Sequence, residues 1–226
     1  MLSKSETSFS ILFSGIVSAE LICGSIDTLE HLHYIFKPAI VVSLLIFFWM
    51  KSASLKFNLR LIIVLALLFS LTGDLLLMFV DVAPNYFLFG LVSFLLAHIM
   101  YCIAFLTHRN KTLKPYGFIA ILLIYASGLF YLLKGGLNDM LIPVIVYMLV
   151  ILSMSTTAFL RKNNVVKRSY IFVFLGALMF MVSDSILALN KFYAPLAYSN
   201  ISIMLTYALA QFFIIIGILK LSKDSR

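Results

Sequence analysis

Eight stretches of this chain are each long and apolar enough to cross a lipid bilayer, which takes about 20 residues per helix. They run approximately 9–26, 34–50, 59–80, 86–107, 116–133, 139–160, 169–190 and 199–221. Inside a bilayer every backbone amide must find its partner within the protein, so runs of this kind fold as helices. Composition agrees: 63% of the 226 residues are hydrophobic and 12% are charged, against about a quarter charged in soluble domains. The expected fold is all-α, a polytopic membrane protein with an eight-transmembrane-helix bundle forming one domain over 1–226. The connections are only a few residues long, so neighbouring helices run antiparallel and no globular head is expected. The second span is expected to open with Lys37-Pro38.

Basic residues orient the bundle. With an even number of spans both termini share a side. That side holds Lys4; Lys51, Lys56 and Arg60; Arg109, Lys111 and Lys114; Arg161, Lys162, Lys167 and Arg168; and Lys220, Lys223 and Arg226, fourteen of the 17 basic residues. The other side holds Lys37, Lys134 and Lys191. The positive-inside rule then puts both termini in the cytoplasm. The net charge of +8 reflects this topology and contact with anionic membrane lipids. No nucleic-acid partner is expected, because no basic stripe with interleaved aromatics lies outside the membrane. Frequent Ile, Phe, Lys, Asn and Ser hint at an AT-rich bacterial genome, and so at a bacterial cell (inner) membrane. Oligomeric state has no handle in the sequence.

Near the N-terminus, Lys4, an apolar stretch and Val17-Ser18-Ala19 resemble a cleavable signal peptide. The competing reading, a retained first helix with Glu20 facing inward, is the expectation, because removal would spoil the even count. Cys23 and Cys102 both fall in spans and are expected as buried thiols. His31 and His33 are expected in a loop as two interfacial imidazoles, not as a metal site.

Polar groups inside the spans carry the functional argument. Asp74 lies in LLFSLTGDLLLMF and Asp184 in GALMFMVSDSILALN. A carboxylate deep in a membrane helix costs roughly 3 kcal/mol on insertion scales, where Ser or Asn would make the same hydrogen bonds more cheaply. From the helical rise of about 1.5 Å per residue, Asp74, Asp184, Glu20, Lys37 and Tyr147 fall in the half away from the basic loops. His98 and Gln211 fall near the midplane. Such a polar layer is what an aqueous pocket open to the outside requires. The structural alternative is interhelical glue, with Ser70, Thr72, Gly73, Ser183, Asn190 and Gln211 joining helices by hydrogen bonds and close approach. Tyr101 and Tyr207 read equally well as buried tyrosines with satisfied hydroxyls. Asp81 and Asp139 sit at span ends and are expected to be solvated. The halves of the chain also echo each other: Gly73-Asp74-Leu-Leu-Leu pairs with Ser183-Asp184-Ser-Ile-Leu, and Ala97-His98 with Ala210-Gln211. Pro38 and Pro143 open the second and sixth spans in the same scheme. This hints at a 4+4 pseudo-repeat with the aspartates facing across an axis.

At these residues the chain resembles the YhhN family of integral membrane proteins, whose characterised members are lysoplasmalogenases. Lys37-Pro38 resembles the family's Lys-Pro element. Ser70-Leu-Thr-Gly73-Asp74-Leu-Leu-Leu77 resembles its Ser-x-x-Gly-Asp-x-x-Leu stretch, and Ala97-His98-Ile-Met-Tyr101 its Ala-His-x-x-Tyr element. Tyr147 with Met154, Gly176 through Ala188 with Phe192, and Thr206-Tyr207-Ala-Leu-Ala210-Gln211 follow in order. The resemblance runs from about 37 to 217 and leaves out the first helix with Glu20. It implies a hydrolase that cleaves the vinyl ether bond of lysoplasmalogens to a fatty aldehyde and a glycerophospho-base. The residues expected to carry catalysis are Asp74, Asp184 and His98. Those expected to contact a lysophospholipid substrate are Lys37, Tyr101, Tyr147, Ser183, Asn190, Tyr207 and Gln211.

The chemistry suits those residues. Vinyl ether hydrolysis begins with proton transfer to carbon, giving an oxocarbenium ion to which water adds. Two carboxyls in one pocket can supply an acid and a stabilising negative charge, and His98 or a tyrosine hydroxyl can orient them or the water. Which aspartate is acid stays open, and no cofactor or metal is expected. A zinc hydrolase would need Asp74 and Asp184 to complete an unusual ligand set around His98. The alternative from another class is a small proton-coupled transporter or lipid-binding membrane protein using the same buried acids. No paired Gly/Pro interruption at mid-span supports a broken-helix carrier.

Overall fold

The computed structural model describes residues 3–83 and 85–221, apart from the side chains of Asp27 and Glu30. Lys223 and Arg226, assigned above to the basic side, lie outside the described residues. Among those described, eight helices are present, all long and apolar enough to span a membrane, and there are no strands. They are α1 (Lys4–Cys23), α2 (Glu30–Lys51), α3 (Phe57–Leu77), α4 (Asn85–Leu106), α5 (Tyr116–Leu133), α6 (Leu141–Phe159), α7 (Lys167–Phe192) and α8 (Ser199–Leu219).

Local chemistry accounts for several boundaries. Ser3 and Glu6 form a reciprocal capping box, which starts α1 five residues before the apolar run begins. Gly24 ends that helix, and a short 3-10 turn at Asp27–Leu29 leads into α2. Two expectations for α2 are corrected here. The helix begins at Glu30, so Lys37-Pro38 lie two turns inside it, and His31 and His33 are helical instead of sitting in a loop. Proline lacks an amide hydrogen and ordinarily marks a helix start. In a membrane bundle an internal proline is tolerated, because neighbouring groups re-satisfy the freed carbonyl. Pro143 does sit in the first turn of α6. Tyr198 adopts a left-handed conformation, φ 57°, which turns the chain sharply from α7 into α8.

The closest helix pairs are α7 with α8 and α3 with α4, and glycine sets both. A Cβ on Gly176 would lie 2.8 Å from the Ala210 carbonyl oxygen, and one on Gly217 would lie 2.8 Å from the Val173 nitrogen. At Gly73 it would strike the Phe94 ring. Small residues let the helix backbones meet where hydrophobic collapse offers no drive. One buried cluster draws on all eight helices, with Ile63, Leu67, Tyr101, Phe105, Ala177, Phe180, Ala210 and Ile214 fully enclosed. α5 is peripheral; its Ile121, Ile124 and Tyr131 are exposed, as suits a face turned to lipid.

The end of the bundle that carries the basic loops is tied by buried polar contacts. Lys220 and Glu6 form an ion pair at 2.6 Å, joining the end of α8 to α1. Arg161, fully buried, donates to the Ser169 hydroxyl, which in turn donates to the Gly217 carbonyl. The opposite end is less closed, and the site lies there.

Candidate active site

A cavity of about 550 Å³ opens among the α1–α2, α3–α4 and α7–α8 connections, at the end away from the basic loops. Both intramembrane aspartates line it. Asp74 comes from the last turns of α3 and is 2% exposed, while the Asp184 side chain on α7 is 15% exposed. Each accepts a hydrogen bond from a tyrosine on another helix: Tyr207 of α8 donates to Asp74 Oδ2 at 2.8 Å, and Tyr147 of α6 donates to Asp184 Oδ2 at 2.6 Å. Holding a buried carboxylate with a directed hydroxyl offsets part of its desolvation and fixes its orientation.

Behind Asp74 the polar groups continue as a chain. The Gln211 amide nitrogen donates to the Ser70 hydroxyl at 2.9 Å, and the Tyr101 hydroxyl donates to the Gln211 amide oxygen at 2.5 Å. Tyr101 and Gln211 are fully buried and sit behind the cavity wall, not on it. His98 is also fully buried. Its Nε2 lies 3.7 Å from Asp184 Oδ2, and its ring meets Tyr147 and Phe180 edge-on. Neither of its ring nitrogens has a hydrogen-bond partner among the described residues.

The remaining expected residues reach the cavity. Lys37 lines it one turn beyond His33, which shares that face of α2 by its four-residue spacing. Ser183 lines it but donates its hydroxyl to the Ile203 carbonyl. Asn190 lines it and accepts from the Leu196 amide, closing the turn after α7. Among the described residues no three His, Cys, Asp or Glu side chains converge as metal ligands.

A second space adjoins the first. An apolar cleft of about 50 Å³ runs between α4, α5, α6 and α7, with Leu91, Ala126, Leu129, Met148 and Ala188 on its walls. Asp184 borders both the cleft and the polar cavity, whereas Asp74 borders the cavity alone. Three features escaped sequence reasoning. Tyr125 of α5 donates to the Ser185 hydroxyl at the cleft, Lys191 joins Lys37 on the cavity, and Glu20 meets His33 at 2.8 Å. Depth and charge had already placed Glu20 and Lys191 toward this end, but not the contact of Glu20 with His33; a single tyrosine in an apolar helix carries no such signal. The arrangement can exchange protons with a molecule that spans both spaces, one end polar and the other a hydrocarbon chain.

A sequence profile described as the YhhN family matches residues 32–218. Among curated proteins the chain is similar to human lysoplasmalogenase TMEM86B, with 30% identity over 155 residues, 69% of this chain and 62% of that protein. Human lysoplasmalogenase TMEM86A is 33% identical over 150 residues, covering 66% and 61% of the two chains. A lysoplasmalogenase of Mycobacterium bovis is 31% identical over 160 residues, covering 67% and 58%. The matched region thus spans less than two thirds of each relative's own length. No solved structure gives a significant match.

Proposed function

This chain belongs to the YhhN family, and we propose that it hydrolyses the vinyl ether bond of a lysoplasmalogen or related lysolipid within its intramembrane cavity. The products are a fatty aldehyde and a glycerophospho-base. The relatives named lysoplasmalogenase motivate the reaction class. The observation that carries the reading to this chain is the position of Asp184, where a polar cavity meets an apolar cleft. In a lysoplasmalogen the vinyl ether joins the hydrocarbon tail to the glycerol. A substrate whose tail enters at the cleft and whose head lies in the cavity presents the double bond to that carboxyl.

The steps follow from the bond to be broken. Protonated Asp184 delivers its proton to the carbon distal to the ether oxygen, and the double bond's electrons form that C–H bond. The adjacent carbon becomes an oxocarbenium centre, stabilised by the negative charge of Asp74 across the cavity. Water adds to it, losing a proton to Asp74 as general base. The hemiacetal then collapses: its hydroxyl gives its proton to Asp184, the bond between that carbon and the glycerol oxygen breaks, that oxygen takes the proton held by Asp74, and the aldehyde leaves. One water is consumed, and both carboxyls return to their starting state. Tyr147 and Tyr207 hold the two acids in place, and His98, with Nε2 3.7 Å from Asp184 Oδ2, is positioned to steady that carboxyl or the water. Lys37 receives the phosphate.

On the positive-inside rule we place the end with the basic loops in the cytoplasm, with the cavity open to the far side of the membrane; the frequent Ile, Phe, Lys, Asn and Ser favour a bacterial cell membrane. The test is direct. Purified protein in detergent should release long-chain aldehyde from a lysoplasmalogen and leave the saturated 1-O-alkyl analogue intact. Movement of unchanged lipid across proteoliposomes, with no aldehyde, would favour a carrier instead.

A further inference from the structure

Glu20 stands apart from the acids assigned above. It lies on α1, outside the matched residues 32–218, yet it lines the same cavity. Its side chain is 1% exposed. Oε1 lies 2.8 Å from His33 Nδ1, but Oε2 is buried with no hydrogen-bond partner among the described residues. Gly24 permits this approach, since a Cβ there would sit 3.2 Å from the same His33 nitrogen. A buried carboxylate oxygen without a donor is expensive, and the cost is recovered when a ligand brings a charged donor to it. Meanwhile Lys37 and Lys191, two of the three basic residues at this end of the bundle, line the cavity as well. Beside the two aspartates assigned to the reaction, the cavity therefore offers a further negative group in Glu20 and a pair of positive ones, the complement of a zwitterion. Asp81 also borders the cavity; it and Lys191 are both exposed, where water screens their charges, so buried Glu20 and half-buried Lys37 are the stronger members.

We infer that Glu20 is a specificity-determining residue that takes the primary ammonium of a phosphoethanolamine head group, while Lys37 and Lys191 take its phosphate. A primary ammonium supplies both charge and an N–H for the Glu20 carboxylate. A trimethylammonium supplies no N–H, and a glycerol head supplies no charge. This inference rests on reading the cavity as a lysolipid site.

Binding of uncleavable 1-O-alkyl lysolipids separates the inference from catalysis. The probes are a phosphoethanolamine and a phosphoglycerol lipid of equal tail length, both with a singly charged phosphodiester. The wild-type protein should bind the ethanolamine lipid about tenfold more tightly, and Glu20→Gln should erase that preference while leaving the glycerol lipid unchanged. Lys191→Gln should weaken both alike. Equal wild-type affinities, or a preference that survives Glu20→Gln, would overturn the inference. If Glu20→Gln loses both lipids, Glu20→Asp decides: a retained preference supports the assignment and a lost one overturns it. Selective binding without any aldehyde release would sink the hydrolase reading alone. Turnover without selectivity would sink the role of Glu20 alone.

Discussion

Asp74 and Asp184, from helices that are not chain neighbours, line one cavity, and each is held by a tyrosine hydroxyl from a further helix. Four helices therefore converge on two carboxyls. Such groups are costly at membrane depth, and structural glue does not require acids. Their shared opening onto one cavity is what the proposed proton transfers require.

The chain behind Asp74 should matter for stability before it matters for chemistry. Tyr101→Phe removes the donor to the Gln211 amide oxygen, and both residues are fully buried. Leaving that acceptor unpaired should cost about 1–3 kcal/mol in an unfolding titration. Tyr125→Phe is the contrast. Ser185 keeps its own bond to the Met181 carbonyl, so the loss should be smaller.

Gly176 and Gly128 should respond oppositely to alanine. A Cβ on Gly176 meets the backbone of α8, which cannot step aside, so Gly176→Ala should destabilise by about 1–3 kcal/mol and lower Tm. A Cβ on Gly128, in the interior of α5, meets nothing within 4 Å. Gly128→Ala should raise stability by up to about 1 kcal/mol through helix propensity. Thermal unfolding in detergent compares the two.

Filling the apolar cleft should change tail preference and not the chemistry. Ala126 stands on its wall, and Ala126→Phe occupies space otherwise open to hydrocarbon. KM measured across a series of tail lengths should then favour shorter chains. Methylenes excluded from the cleft move into lipid or detergent and not into water, so the shift reads lost packing against the cleft walls. Unchanged chain-length preference would remove the cleft from the substrate path.

His108, just past α4, provides a pH prediction at the other end of the bundle. Burial, and then the nearby Arg161 charge, lower its pKa below the usual value for histidine. Folding therefore favours the neutral ring. Its contribution is complete above about pH 6.5, the unfolded value, and is lost as pH falls through the lower folded value. Thermal stability should decline over that acid range, and His108→Asn should flatten the decline.

Much of this was legible in the sequence, for reasons that also explain what was not. Eight apolar runs foretold eight helices, because a bilayer allows such runs no other form. Asp74 and Asp184 declared themselves by cost. The start of α2 was misplaced because Lys37-Pro38 carries the local signature of a helix start, while the stretch before it, with His33, still had room for two turns. The positions of Tyr101 and Gln211 behind the wall were hidden for another reason. In a helix apolar on every face, periodicity does not reveal which side turns inward. His98 shows the same limit: its depth was readable, but not the 3.7 Å that separates it from Asp184. The pairing of Glu20 with His33 joins two helices across a turn, a tertiary fact with no local trace.

The most direct measurement is aldehyde release from a lysoplasmalogen by Asp74→Asn and Asp184→Asn beside the wild type, all three shown to be folded by size-exclusion chromatography. Asparagine keeps the shape and can still accept from Tyr207 or Tyr147, but it can neither deliver nor take up a proton. Each variant should lose about 100- to 10,000-fold in turnover. Wild-type turnover in either one would contradict the claim that these two carboxyls perform the reaction.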